Sequence, residues 1–281
     1  MPSTKSNQSK EVPSGQAVQG LSTWLTYAAL VVLAGLAWIA LIFQSSTSSV
    51  EAAMDMVPNS SFPRLTLLEA GKFLVSWGVM MAAMMLPSAL PMLALYGATR
   101  SNFIRKGHKA IPTTAFTGVY LAVWTGFGLP VYFAWVAIGT ISEMNMFVSS
   151  LLPYALALVL IAAGIYQFSP LKQVCLRACR SPLAFLLGNW NNGYRGTFRL
   201  ALRHALYCLG CCWALMVVLV AAGAMALHWV LLLAVLVLAE KILPQSRWTV
   251  RLIGGALIIL GLAVGLVPEL ATILRGQMTA M

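Results

Sequence analysis

All five cysteines of the 281-residue chain fall between positions 175 and 212, and they form two groups. The first is Cys175-x-x-x-Cys179. Ser169-Pro170 before it is a helix start, a capping residue followed by proline at the first helical position. Ser181-Pro182 after it is a stop, so a short helix is expected with both thiols one turn apart on one face. Lys172, Arg177 and Arg180 surround the pair and are expected to favour the thiolate, the form that binds metal. The second group is His204-x-x-x-Cys208-x-x-Cys211-Cys212. On a helix, His204, Cys208 and Cys211 fall within about 60° of one another, with Cys212 about 80° from His204. One imidazole and two or three thiols on one face make a partial coordination shell. Soft ligands of this kind select Cu(I), with zinc as the main competitor. A single free cysteine in an apolar helix is ordinarily a small buried hydrophobe. Five in one short window, in register with a histidine, point instead to a metal.

Methionine adds thioethers. The run Trp77 to Met92 contains Met80, Met81, Met84 and Met85, in which Met81 and Met85 are one turn apart, as are Met80 and Met84. Met81, Met84 and Met85 are the candidate metal contacts in this run, against the ordinary role of methionine as an adaptable core filler. Pro87 and Pro91 remove intrahelical hydrogen bonds and are expected to kink the segment towards protein or a polar cavity. Met54-x-Met56 beside Glu51 and Asp55, and Met144-x-Met146 beside Glu143, pair thioethers with carboxylates and could capture copper. His108 reads as a solvated loop residue among basic neighbours, and His228 as an interfacial one. Glu240 is a charge inside an apolar segment and is explained by a local pair with Lys241 or by snorkelling.

The elements that position these residues are membrane spans. Hydrophobic residues make up 60% of the chain and charged residues 9%, where soluble domains are about a quarter charged. Mean hydropathy is +0.83. A helix needs roughly 20 apolar residues to cross the hydrocarbon. Seven runs qualify as candidates: 21–43, 73–96, 115–139, 151–168, 206–227, 229–243 and 250–270. The sixth is short, so six spans is the alternative. The expected fold class is therefore all-α, a polytopic transmembrane helical bundle. Residues 1–20 read as a polar, disordered tail, 21–270 as the transmembrane domain and 271–281 as a C-terminal tail. Within the domain, 169–205 reads as a cytoplasmic Cys-containing loop followed by an amphipathic helix, with Arg195, Arg199 and Arg203 on its polar stripe. Fifteen of the 18 Lys and Arg fall on one side of these spans. That places the N-terminus in the cytoplasm and, with seven spans, the C-terminus outside. The net charge of +11 is thus spread over short loops, which excludes a nucleic-acid-binding face. Gly261-x-x-x-Gly265 is expected to pack a neighbouring helix of the same bundle, with a second copy of the chain as the other occupant.

The runs Met80 to Met92, Tyr166 to Pro182, Gly193-x-x-Gly196 leading into Arg203 to Met216, and Glu240-Lys-Ile-Leu-Pro244 resemble one bacterial family. It is the domain of unknown function 2182 family, described as metal-binding integral membrane proteins and sometimes labelled copper chaperones. The resemblance covers about residues 70–265, with all five cysteines and His204 matching. It implies a multi-pass protein of the bacterial inner membrane. The resulting expectation is binding of Cu(I), or of zinc, and its transfer to a metallochaperone or a membrane cuproenzyme. The external Met-x-Met pairs would collect the ion and the Met81, Met84 and Met85 thioethers would relay it to the Cys/His cluster. A non-catalytic subunit or scaffold with structural cysteines is the alternative, and a metal-dependent redox enzyme a more distant one. The chain has no G-x-x-x-x-G-K-[ST] motif, which argues against ATP-driven pumping.

Overall fold

The computed structural model describes residue 24 and residues 27–45, 66–222, 227–243 and 246–274. The tail 1–20, Met54-x-Met56 with Glu51 and Asp55, and residues 275–281 lie outside the described residues, as do the side chains of Glu143 and Met146. Among the described residues every regular element is a helix. In chain order they are α1 (Tyr27–Ser45), α2 (Leu67–Arg105), α3 (Thr113–Met144), α4 (Met146–Gln167), α5 (Pro170–Arg180), α6 (Pro182–Asn189), α7 (Tyr194–Ala221), α8 (Leu227–Ile242), α9 (Ser246–Leu266) and α10 (Glu269–Leu274). Six of them, α1, α2, α3, α4, α7 and α9, are long and apolar enough to cross a membrane. Apolar side chains such as Val32, Leu36, Phe133, Leu158, Val235 and Ile259 face outward on these helices and on α8. In lipid this costs nothing, because acyl chains are as apolar as the bundle interior. The chain is a multi-pass membrane protein.

The sixth sequence candidate is α8, which has 16 residues and spans about 24 Å at 1.5 Å per residue. It falls short of the spanning length, yet it carries the chain back along α7. Near its start Trp229 Nε1 donates to the Leu274 carbonyl of α10. At its other end Lys241 reaches Cys208 midway along α7.

The end of the bundle that carries the basic loops is stapled by backbone contacts. Gly193 has φ of +94°, a conformation that glycine adopts without strain. Its N–H donates to the Lys109 carbonyl over 2.8 Å. Asn192 Oδ1 accepts from Lys109 N–H and Thr197 Oγ1 accepts from Ile111 N–H, so the α2–α3 loop is bound to the first turn of α7. From there α7 runs without a break to Ala221. Arg195 to Ala205 is therefore the opening of the spanning helix itself, not a separate helix along the leaflet. Arg195, Arg199 and Arg203 remain exposed on it, while Ala201, His204 and Ala205 are buried against other helices.

Small residues set the closest helix pair. A side chain at Gly261 would meet Ile161 and the Ala157 carbonyl, and one at Gly164 would meet Ile258 and the Gly254 carbonyl, all under 3.0 Å. The Gly261-x-x-x-Gly265 motif therefore packs α9 on α4 within the bundle. α2 stays one helix through Pro87 and Pro91. Its Trp77, Met80, Met81, Met84, Met85 and Met92 are all buried, with Trp77 Nε1 donating to the Trp124 carbonyl of α3.

Candidate metal centre

The short helix that carries the first cysteines forms as its punctuation predicts. Ser169 Oγ accepts from Lys172 N–H, Pro170 takes the first helical position, and Ser181 ends α5 just before Pro182 begins α6. Eleven residues are too few for a stable isolated helix, so α5 depends on what it packs against. Cys175 is buried against α7, its sulfur 2.8 Å from where a Gly210 Cβ would stand. Any larger residue at 210 would push α5 away.

One turn on, Cys179 meets the second group. The Sγ atoms of Cys179, Cys208 and Cys211 all lie within 4.8 Å of one another. Cys179 and Cys211 are 3.9 Å apart. Three sulfurs around one ion at 2.3 Å in a plane would be about 4.0 Å apart, so this spacing suits a three-coordinate soft ion. Cys208 and Cys211 are buried and Cys179 is half-buried.

The other candidate residues surround this trio without joining it. Cys212 Sγ is 3.1 Å from Cys211 Sγ but outside the mutual 4.8 Å group. His204, one turn before Cys208, is 3% exposed and neither ring nitrogen has a hydrogen-bond partner. Its ring sits among those of Phe116, Tyr120 and Phe185. Cys175 stands apart against Gly210. Met81, Met84 and Met85 are buried in the same core. Met85 is tied to the site through its carbonyl, which accepts from Ser88 Oγ at 2.9 Å and Tyr120 OH at 3.4 Å.

Three polar residues at the centre were not among the candidate ligands read from the sequence. Tyr120 OH lies 3.1 Å from Cys208 Sγ. Lys241 Nζ lies 3.1 Å from the same sulfur and 2.8 Å from Ser88 Oγ, with 8% of the residue exposed. An ammonium in this position faces the thiolate charge directly. The cation of this site is thus Lys241 from α8. Of the α5 cations expected to favour the thiolate, Lys172 turns away to Glu240, Arg177 is exposed and Arg180 donates to the Leu243 carbonyl. Burial pushes the Cys175 thiol up from its ordinary value. The neighbouring Cys208 sulfur holds that of Cys179 well up, with burial adding to it.

Glu240 also differs from expectation. Its partner is not the adjacent Lys241 but Lys172, whose Nζ lies 2.9 and 2.8 Å from the two carboxylate oxygens. Both residues are 1% exposed, and Lys172 also donates to Gln167 Oε1. Successive residues of a helix point about 100° apart, so Glu240 and Lys241 necessarily reach different neighbours. The visible cue was an acid inside an apolar segment, which is a functional suspect by default. Its partner lay 68 residues away.

No curated protein and no solved structure matches the chain. A family model does, over residues 74–264, from the Met-rich part of α2 through both cysteine groups and the α8 charges to α9. The chain belongs to this family, described as PpoB2: Copper chaperone.

Proposed function

We propose that this protein binds Cu(I) at Cys179, Cys208 and Cys211 and hands it to an acceptor. The observation that carries the reading is the meeting of three thiol sulfurs within 4.8 Å from helices distant in sequence. Three soft ligands with spacing near that of a trigonal ion favour Cu(I) over zinc, whose structural sites take four ligands. The family description points the same way. His204 and Cys212 supply alternative ligands one step from the trio. The Met81, Met84 and Met85 thioethers supply a relay along α2, fed by the Met-x-Met pairs. Cys175 packs α5 on α7 and ligates nothing in this reading. The membrane is the bacterial inner membrane, with the basic loops in the cytoplasm, and the acceptor is a metallochaperone or a membrane cuproenzyme.

The test is the Cu(I) and Zn(II) stoichiometry of protein purified anaerobically, with Cys208→Ser/Cys211→Ser as the control. One Cu(I) per chain, lost in the double variant, is expected. Metal retained equally by the variant, or none retained by the wild type, returns the cysteines to packing and the protein to a scaffold role.

A further inference from the structure

The last turn of α8 places two opposite charges side by side in the interior. Lys241 reaches Cys208 of α7 and Ser88 of α2. Glu240 reaches Lys172 of α5 with both carboxylate oxygens. One turn of one helix therefore holds the fixed thiol of the site by one residue and the helix bearing Cys179 by the other. The two sides of the trio are not equivalent. Cys208 and Cys211 share α7, a continuous 28-residue helix, so their spacing is set. Cys179 rides on an 11-residue helix bounded by a turn at Phe168–Ser169 and a break at Ser181. It is also the half-buried member of the three. Leu176, Cys175 and Ala178 pack α5 on the core, while the Lys172–Glu240 pair is the ion pair that ties it to α8. A buried pair of this kind strongly resists loss of one partner, because the other charge is left uncompensated.

We infer that the Lys172–Glu240 ion pair is a latch that holds Cys179 in place as the third thiol, and that opening it releases the ion from α5 first. The inference rests on the copper reading above. In the transfer step the bond from copper to Cys179 Sγ breaks as one forms to a thiol or thioether of the acceptor. The Cys179 thiolate takes up the proton that an acceptor thiol gives up, or one from water where the acceptor ligand is a thioether; copper stays Cu(I), and no electrons move. Cys208 and Cys211 keep the ion until the acceptor's second ligand replaces them. Lys172 and Glu240 are positioning residues here, acting through α5 without touching the ion.

Two measurements on the full-length protein test this. The first needs no metal. In native membranes, with Cys175, Cys208 and Cys212 replaced by serine, a short bifunctional thiol reagent is expected to join Cys179 to Cys211. Glu240→Gln should abolish this crosslink, and the charge swap Lys172→Glu/Glu240→Lys should restore it. A crosslink that survives Glu240→Gln, or one never formed with Glu240 intact, overturns the latch. The second is Cu(I) competition titration with X-ray absorption. Glu240→Gln should lower affinity by about 10–100-fold, the usual cost of losing a supporting outer-shell contact. Copper should then have two sulfur neighbours instead of three, matching Cys179→Ser. Combining Glu240→Gln with Cys179→Ser should add no further loss. Three sulfurs and unchanged affinity in Glu240→Gln overturn the latch and leave the copper site standing. A wild type that binds no copper overturns the site, while the crosslink still reports on the latch contact itself.

Discussion

At the scale of single residues, the centre is defined by what surrounds Cys208. Its sulfur has the Tyr120 hydroxyl and the Lys241 ammonium each at 3.1 Å, and Lys241 is itself anchored on Ser88. A buried thiolate without a counter-charge is costly, so the ammonium is what lets the site hold negative sulfur in an apolar bundle. Lys241→Met is expected to weaken Cu(I) binding by about 10–100-fold, in line with other outer-shell losses at metal sites. Lys241→Arg should recover part of it, because the charge is kept while the guanidinium is bulkier than the ammonium. Competition titration against a chromophoric Cu(I) chelator reads both variants. Equal affinity in wild type and Lys241→Met would remove the charge-pairing role.

At the scale of elements, two kinds of contact organise the bundle. One is close backbone approach between spans, as where α9 lies on α4 with Gly261 and Gly164 at the crossing. A methyl at Gly261 would sit 2.9 Å from a backbone carbonyl that cannot turn aside, so Gly261→Ala should lower stability by about 1–3 kcal/mol as the helices part. Gly255, on the same helix, has nothing within 4 Å of its absent Cβ. There the same change should stabilise by up to about 1 kcal/mol through helix propensity. Thermal unfolding in detergent separates the two, and equal effects would mean that the α4–α9 contact does not limit stability. The other kind of contact is the charged tie of the short helix α5 to α8. Without it α5 would keep its Ser169 cap and the packing of Cys175 and Leu176, but not its ion pair to α8.

At the scale of the whole molecule, the α2–α3 loop is bound to the start of α7 and α5 to the end of α8, and the thiol centre lies midway along α7. α7 starts at Tyr194 and reaches Cys208 after fourteen residues, about 21 Å along its axis. Cysteines introduced singly at the exposed positions 106 and 228 in a cysteine-free chain should respond oppositely to an impermeant thiol reagent applied outside intact cells. Position 228 should react and position 106 should not. The reverse pattern would invert the orientation and with it the direction of copper transfer.

Much of this architecture was legible in the chain itself. Long apolar runs report spans because lipid demands about 20 apolar residues whatever their neighbours. Ser169-Pro170 reports a helix start because capping is a local hydrogen bond. The 3.6-residue period put Cys208 and Cys211 on one face of α7 with His204. The same local rules were silent, or misled, wherever a side chain had a choice of partners. Glu240 and Lys241 are neighbours in sequence, yet each pairs with a residue on a different helix, and the polar stripe at Arg195 to Arg203 gave no hint that α7 continues through it. Which thiol joins Cys208 and Cys211, which cation faces them, and that Tyr120 and Ser88 belong to the site depend on how α5, α3, α2 and α8 pack around α7. Those contacts cross between 32 and 153 residues of chain. Periodicity and capping act over a few residues, so only the packed bundle could decide them.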